Sequence, residues 1–262
     1  LVIDPHAAWH EPTRTAERVL VASPDRLLGE VADVLSGETP PDPAWLESWR
    51  AADALVPPAL AATPDPFEPK AYAALADALP ADAYVWVSSS MPIRDVETFF
   101  PSVETPIRFL SNRGANGIDG VPSSALGAAV ASGRGQAYLL TGELALLHDV
   151  GALLAAGRLG LALTIVCVNN GGGGIFDFLA VAEHAEAEAY ERLVATPSGV
   201  DLARLAHGLG LVHRSAETPE EVRRAADGGP SLIEVRTDRA TNVVRHRELL
   251  ARIAGELDER VA

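Results

Sequence analysis

TGELALLHDVGALLAAGRLGLALTIVCVNNGGGGIF (141–176) is the stretch on which the fold turns. Two short apolar runs bounded by glycine, Gln136 to Leu140 just before it and Leu163 to Val168 within it, flank a helical segment of roughly a dozen residues, the pattern of a βαβ unit. Such units cross over right-handed and lay their strands parallel, so both carboxyl ends open on the edge where a parallel sheet has its ligand crevice. Gly142-Glu143 and Asn169-Asn170 fall at that edge, with 27 positions from Glu143 to Asn170.

A hard cation such as magnesium takes oxygen ligands, commonly a carboxylate or amide with phosphate oxygens and water. The Glu143 carboxylate, the Asn170 carboxamide and a carbonyl of the glycine run suit it. Glycines after Asn170 also let the backbone approach a charged ligand closely and take positive φ. A glycine run alone is more often only a flexible loop; its pairing with Glu143 at this spacing favours half of a site for a metal-bound diphosphate.

Outward from this unit, strand and helix patterns alternate from Glu68 onward. Tyr84–Val87, 107–110, 136–140, 163–168, 211–213 and 232–235 read as six strands separated by helices. The fold class expected is therefore α/β, a doubly wound parallel six-stranded sheet with helices on both faces. Residues 1–36 give two short strands and a helix, the tail of a Rossmann-like domain, and residues 37–67 are proline-dense and read as a linker. Within the linker Trp45 and Trp49 are expected to seat a helix on a domain surface. Residues 68–262 are expected to be the diphosphate-binding domain. The stretch 181–192 reads as a solvated helix face. Ser90 to Arg94 follows the first strand of the sheet; Pro92 suits a first helical turn, so Ser90 is either a helix cap or a site residue.

At 262 residues and 48% hydrophobic, the chain is large enough to bury a core. A formal charge of −15 argues against a nucleic-acid partner. The single cysteine, Cys167, excludes an intramolecular disulfide and reads as a buried strand thiol. No apolar run reaches membrane-spanning length and no secretion signal is visible, so a cytoplasmic protein with no membrane partner is expected. The chain opens at Leu1 and its one methionine is Met91, which reads as a piece of a longer protein.

Glu143 and the Asn-Asn pair form a variant of the Gly-Asp…Asn-Asn diphosphate signature of the thiamine-diphosphate enzymes. SSSMPIRDVETFFP (88–101), SNRGANGIDGVPSSALGAA (111–129), GELALLHDVGALLAA (142–156) and NNGGGGIFDFL (169–179) together resemble the 2-succinyl-5-enolpyruvyl-6-hydroxy-3-cyclohexene-1-carboxylate synthases of menaquinone biosynthesis. That resemblance implies a transferase that uses thiamine diphosphate with magnesium, or manganese in its place. The substrates implied are 2-oxoglutarate and isochorismate: the first loses carbon dioxide and the four-carbon remainder is joined to the second, with the cofactor as electron sink.

By the same resemblance Glu143, Asn170 and Gly172 are metal ligands. Ile118, Gly142, Leu144, Ala145, Asn170, Gly172, Gly173, Ile175 and Phe176 contact the cofactor, with Ile118 wedged beneath the bend between its rings. Ser90, Arg94 and Arg113 face the substrates, where a guanidinium grips a carboxylate through two parallel bonds. For the arginines the competing reading is a structural ion pair, and for Ile118 and Phe176 ordinary packing. A glutamate on a separate pyrimidine-binding domain and a homodimer or homotetramer sharing the site between subunits are also implied, leaving this chain catalytically incomplete by itself.

Two positions depart from the family pattern: Glu143 stands for an aspartate, and Gly171 for the acidic or amide residue that usually follows the asparagines. They leave open a divergent, non-catalytic relic of the fold. Another thiamine-diphosphate decarboxylase or an acetohydroxyacid synthase is a further alternative, disfavoured by SMPIRD and SNRGANGIDG. A nicotinamide dehydrogenase is weaker, since no G-x-G-x-x-G follows an early strand.

Overall fold

The computed structural model describes residues 1–38, 42–112, 115–132, 136–227 and 229–261. It divides into two compact units, Leu1–Ala51 and Ala52–Ala262, so the division falls inside the segment expected as a linker. In the first unit β1 (Val2–Ile3) pairs parallel with β2 (Val19–Leu20), α1 (Pro24–Leu35) follows, and the division falls within the last turn of α2 (Pro43–Asp53). Trp45 and Trp49 are both exposed and meet each other edge to face, with ring centroids 6.1 Å apart, rather than seating α2 on a surface of their own unit.

The second unit contains a parallel sheet of six strands: β3 (Tyr84–Val87), β4 (Arg108–Ser111), β5 (Gln136–Gly142), β6 (Ala162–Asn169), β7 (Val212–Ala216) and β8 (Ser231–Arg236). Their order is β4-β3-β5-β6-β8-β7. All six expected strands form, with ends that differ by a few residues. The chain moves outward from β3 to β4, then returns to the other side as β5, and this reversal makes the β3/β5 boundary the topological switch point.

The helices of this unit are α3 (Val56–Ala62), α4 (Glu68–Ala73), α5 (Met91–Phe99), α6 (Val121–Ser132), α7 (Glu143–His148), α8 (Leu153–Leu159), α9 (Ala180–His184), α10 (Ala187–Tyr190), α11 (Leu202–Gly208), α12 (Pro219–Ala225) and α13 (Arg239–Val261). They cover the sheet on both sides, which is why the central strands read as unbroken apolar runs. Along β6, Leu163, Ile165 and Cys167 join a core with Leu126 of α6, Leu153 of α8 and Leu202 of α11, while Val166 and Val168 join Tyr72 of α4 and Val222 of α12. A third cluster, Leu60, Phe67, Phe99 and Leu249, ties α3, α5 and α13 together.

Two segments differ from expectation. The crossover between β5 and β6 is not one helix: it breaks at Asp149 into α7, a 3-10 turn (Val150–Ala152) and α8. The Asp149 carboxylate accepts the backbone N–H of Ser123 at 2.8 Å, so this residue caps the first turn of α6 rather than continuing its own helix. Residues 181–192 likewise divide among α9, α10 and the start of a π-helical turn (Glu191–Ala195) that stops at Thr196, φ 46°.

Candidate cofactor site

The carboxyl ends of β3, β5 and β6 open into a cavity of about 500 Å³ at the switch point. Parallel pairing sets its floor: Val87 lies beside Leu140, and Gly142 beside Val168, so the residues that follow these strands emerge side by side. Ser90, Arg94, Ile118, Gly142, Glu143, Leu144, Ala145, Asn170, Gly172, Gly173, Ile175 and Phe176 all line this cavity. Arg113 lies outside the described residues.

Glu143 is the first residue of α7, buried at the end of β5. Its Oε1 accepts the backbone N–H of Gly172 at 2.5 Å, which joins the β5 end to the glycine loop after β6. Burial pushes the Glu143 carboxyl above its usual range, against the pull of the Glu143, Gly172 and Asn170 N–H groups and the Arg239 charge.

Asn170 is held from one side. Its Nδ2 donates to Glu68 Oε1 at 2.9 Å, while its Oδ1 is buried and has no hydrogen-bond partner. A buried carboxamide oxygen without a donor carries a desolvation cost of about 1–3 kcal/mol, which a cation would relieve. Gly172 offers its carbonyl to the Gly174 N–H at 2.9 Å and retains a second lone pair. One carboxylate, one orphaned amide oxygen and one carbonyl at a shared edge therefore fit a hard, oxygen-seeking cation. Among the described residues there is no group of three or more His, Cys, Asp or Glu that could hold a metal.

The glycine loop needs its glycines at two places. Gly171 has φ +76° with open space around it, and Gly172 has φ +146° with the carbonyl of Ala195 packed against it. The missing side chain at 171, a departure from the pattern, thus falls at a left-handed position where glycine, like asparagine, is at ease.

Ser90 occupies the cap position of α5, but its side chain makes no capping bond, and its backbone sits at φ 86°, ψ −139°. Side-chain-bearing residues rarely adopt that conformation, and such strain persists where the surroundings over-determine it. Here Ser88 donates to the Leu140 carbonyl at 2.8 Å and Ile93 donates to the Ser88 carbonyl at 3.2 Å, fixing the turn to β5 and to α5. Arg94 is exposed and donates from Nη1 to the Ser90 carbonyl at 2.5 Å, with no carboxylate partner among its hydrogen bonds. The loop that presents Ile118 is pinned by Asn112, which accepts from Trp86 Nε1 at 2.6 Å and donates to the Asp119 carbonyl at 2.8 Å.

Sequence reasoning missed Glu68, Tyr72 and Asn116, which line the same cavity. Glu68 opens α4 and is buried; its signal was a carboxylate just before Pro69 at a helix start, masked by the surrounding prolines. Burial and the Asp95 charge push its carboxyl up to about 7, against the Asn170 and Thr237 hydrogen bonds.

Comparison with known proteins adds family membership to this geometry. The family described as thiamine pyrophosphate enzyme, C-terminal TPP binding domain, matches residues 91–235. A 2-succinyl-5-enolpyruvyl-6-hydroxy-3-cyclohexene-1-carboxylate synthase of Myxococcus xanthus is 51% identical over 226 residues, covering 82% of this chain and 38% of the relative. Synthases of the same name from Geobacillus kaustophilus and Bacillus velezensis are 40% and 36% identical, covering 98% and 95% of this chain and 45% and 44% of their own lengths. The chain spans less than half the length of these relatives. With the matched segment running from the start of α5 through the glycine loop to β8, the chain belongs to the thiamine pyrophosphate enzymes and carries their C-terminal cofactor-binding domain.

Proposed function

We propose that this chain is the diphosphate-binding part of a thiamine-diphosphate- and magnesium-dependent carboligase that decarboxylates 2-oxoglutarate and joins the remainder to isochorismate, the reaction of menaquinone biosynthesis after which its relatives are named. The observation that carries the reading is the buried Oδ1 of Asn170, without a hydrogen-bond partner among the described residues, in the cavity that the Glu143 carboxylate also lines. Residues 68–262 form the domain concerned. A cytoplasmic homodimer or homotetramer with the site shared between subunits belongs to the same reading. Among the described residues no helix is long and apolar enough to cross a membrane.

When bound, the cofactor supplies the electron sink for decarboxylation. Glu143, Asn170 and the Gly172 carbonyl would hold the cation, which would offset the charge of the diphosphate, with manganese an acceptable substitute. Ile118, Leu144, Ala145, Ile175 and Phe176 supply apolar walls, Gly142 brings bare backbone to the cavity, and Gly173 lets the Phe176 ring pack against the loop. Arg94, with no carboxylate partner among the described residues, lines the cavity with a charge to offer the carboxylates of the substrates, and Ser90 lines it as well. Arg113 is assigned the same substrate-facing role from its motif.

Substitution tests the division of labour. In the full-length protein, Arg94→Ala should depress turnover of 2-oxoglutarate with isochorismate and leave the affinity for thiamine diphosphate with magnesium unchanged. Loss of cofactor affinity, or of folding, would make Arg94 a structural residue and remove the substrate assignment.

A further inference from the structure

We infer that Glu68 is a positioning residue: it orients the carboxamide of Asn170 so that the oxygen, and not the nitrogen, faces the cation. The inference rests on the metal-bound reading of the site. Asn170 can present either end of its amide to the cavity, and only the oxygen end ligates a cation. What decides between them is the far side of the group. Glu68 Oε1 accepts from Asn170 Nδ2 at 2.9 Å and from Thr237 Oγ1 at 3.0 Å. An oxygen that collects two donors leaves no place for the Asn170 oxygen beside it. Asn170 is therefore turned with Oδ1 away from Glu68, buried and without a partner.

The seat is closed on another side by Gly174, where an added Cβ would lie 2.5 Å from Asn170 Nδ2. Glu68 itself comes from α4, 102 positions earlier in the chain, and is buried; it lines the cavity and makes no ion pair among the described residues. A buried carboxylate with an amide and a hydroxyl as its hydrogen-bond partners is costly to retain for packing alone. Groups that orient metal ligands in this way typically change metal affinity by about 10- to 100-fold when removed.

Isothermal titration of magnesium into the protein with thiamine diphosphate present tests this without reference to turnover. Asn170→Ala should abolish magnesium binding; if it does not, the cation reading itself fails. Glu68→Met, which keeps length and removes the acceptor, should weaken magnesium about tenfold or more, while Glu68→Gln, which keeps an acceptor oxygen, stays within about threefold of the parent. In an Asn170→Asp background there is no amide to orient, and Glu68→Met should then cause no loss. Equal weakening in both backgrounds, or none in the Asn170 background, overturns the positioning role while leaving the cation site intact. Circular dichroism and melting temperature check the fold of each variant. Should Glu68→Met not fold, Gly174→Ala displaces the amide from the same seat, and unchanged magnesium affinity there overturns the proposal.

Discussion

Gly172→Ala is the sharpest test of the glycine loop, because the structure predicts a cost far larger than the loss of flexibility. An added Cβ would stand 2.6 Å from the Ala195 carbonyl oxygen and 3.2 Å from its carbon, and both are backbone atoms that cannot swing aside. Holding the present φ of +146° with a side chain adds strain of roughly 1–3 kcal/mol. If the loop yields instead, it gives up the Gly173 N–H bond to the Ala195 carbonyl at 2.7 Å and the Gly172 N–H bond to the Glu143 carboxylate at 2.5 Å. A neutral bond contributes about 1 kcal/mol and one to a charged group about 1.5–3 kcal/mol. The first route costs that strain plus the clash with the Ala195 carbonyl, and the second costs about 2.5–4 kcal/mol, misplaces Glu143 and lowers magnesium-dependent cofactor affinity. Gly171→Ala is the built-in control: with φ +76° and nothing within 4 Å, it should cost only the left-handed penalty of about 1–2 kcal/mol. Urea unfolding with the slope held in common would read both. Equal costs for the two substitutions would refute the clamp between the loop and Ala195, and with it the account of how Glu143 is held.

Three further outcomes are expected. Glu68 has a folded value of about 7 against an ordinary 4.5, so its contribution to stability is full below pH 4.5 and is lost as pH rises through about 7; the metal-free protein should therefore gain about 3 kcal/mol from this group on acidification, and Glu68→Gln should flatten that part of the urea-midpoint profile, an unchanged profile counting against it. Glu143→Asp, freed from its reach to Gly172, should tighten magnesium relative to manganese in cofactor titrations, whereas Glu143→Ala should abolish binding; retention of affinity by the alanine variant would remove Glu143 from the ligand set. Burial alone would lower the His246 pKa, yet the Asp95 carboxylate 3.1 Å away raises it, so Asp95→Asn should shift the His246 titration downward in an NMR experiment, and an unmoved titration would show that the pair is not coupled.

What was legible in the sequence follows from which interactions are local. Strands β3 to β8 could be read because each is a short apolar run closed by small or polar residues, and burial on both faces leaves that run unbroken. Glu143 and Asn170 could be read because strand ends are positions that sequence marks directly. The break at Asp149 could not, since its cause is a hydrogen bond to Ser123, on another helix. Glu68 was hidden for the same reason: its two partners, Asn170 and Thr237, lie 102 and 169 positions away, and nothing nearby distinguishes it from a surface glutamate at a helix start. The Ser90 backbone was equally silent, because a positive φ at a serine is imposed by the β3–β5 contact and not chosen by local preference.

The ladder between β5 and β6 has a consequence for how this architecture tolerates change. Seven successive pairs, from Gln136 beside Ala162 to Gly142 beside Val168, bring the two donor-bearing ends level, so their proximity is indexed to strand register and not to the contour length between them. Residues may be added or removed in the crossover, at the Asp149 break for instance, and Glu143 and Asn170 still emerge side by side. One residue inserted inside β6 would instead turn every following side chain to the opposite face, exchanging the Ile165 and Val166 environments and carrying Asn170 out of step with Glu143. Length variation is therefore confined by geometry to one side of the sheet's edge, and the 27-position interval is a habit of this chain rather than a requirement of its chemistry.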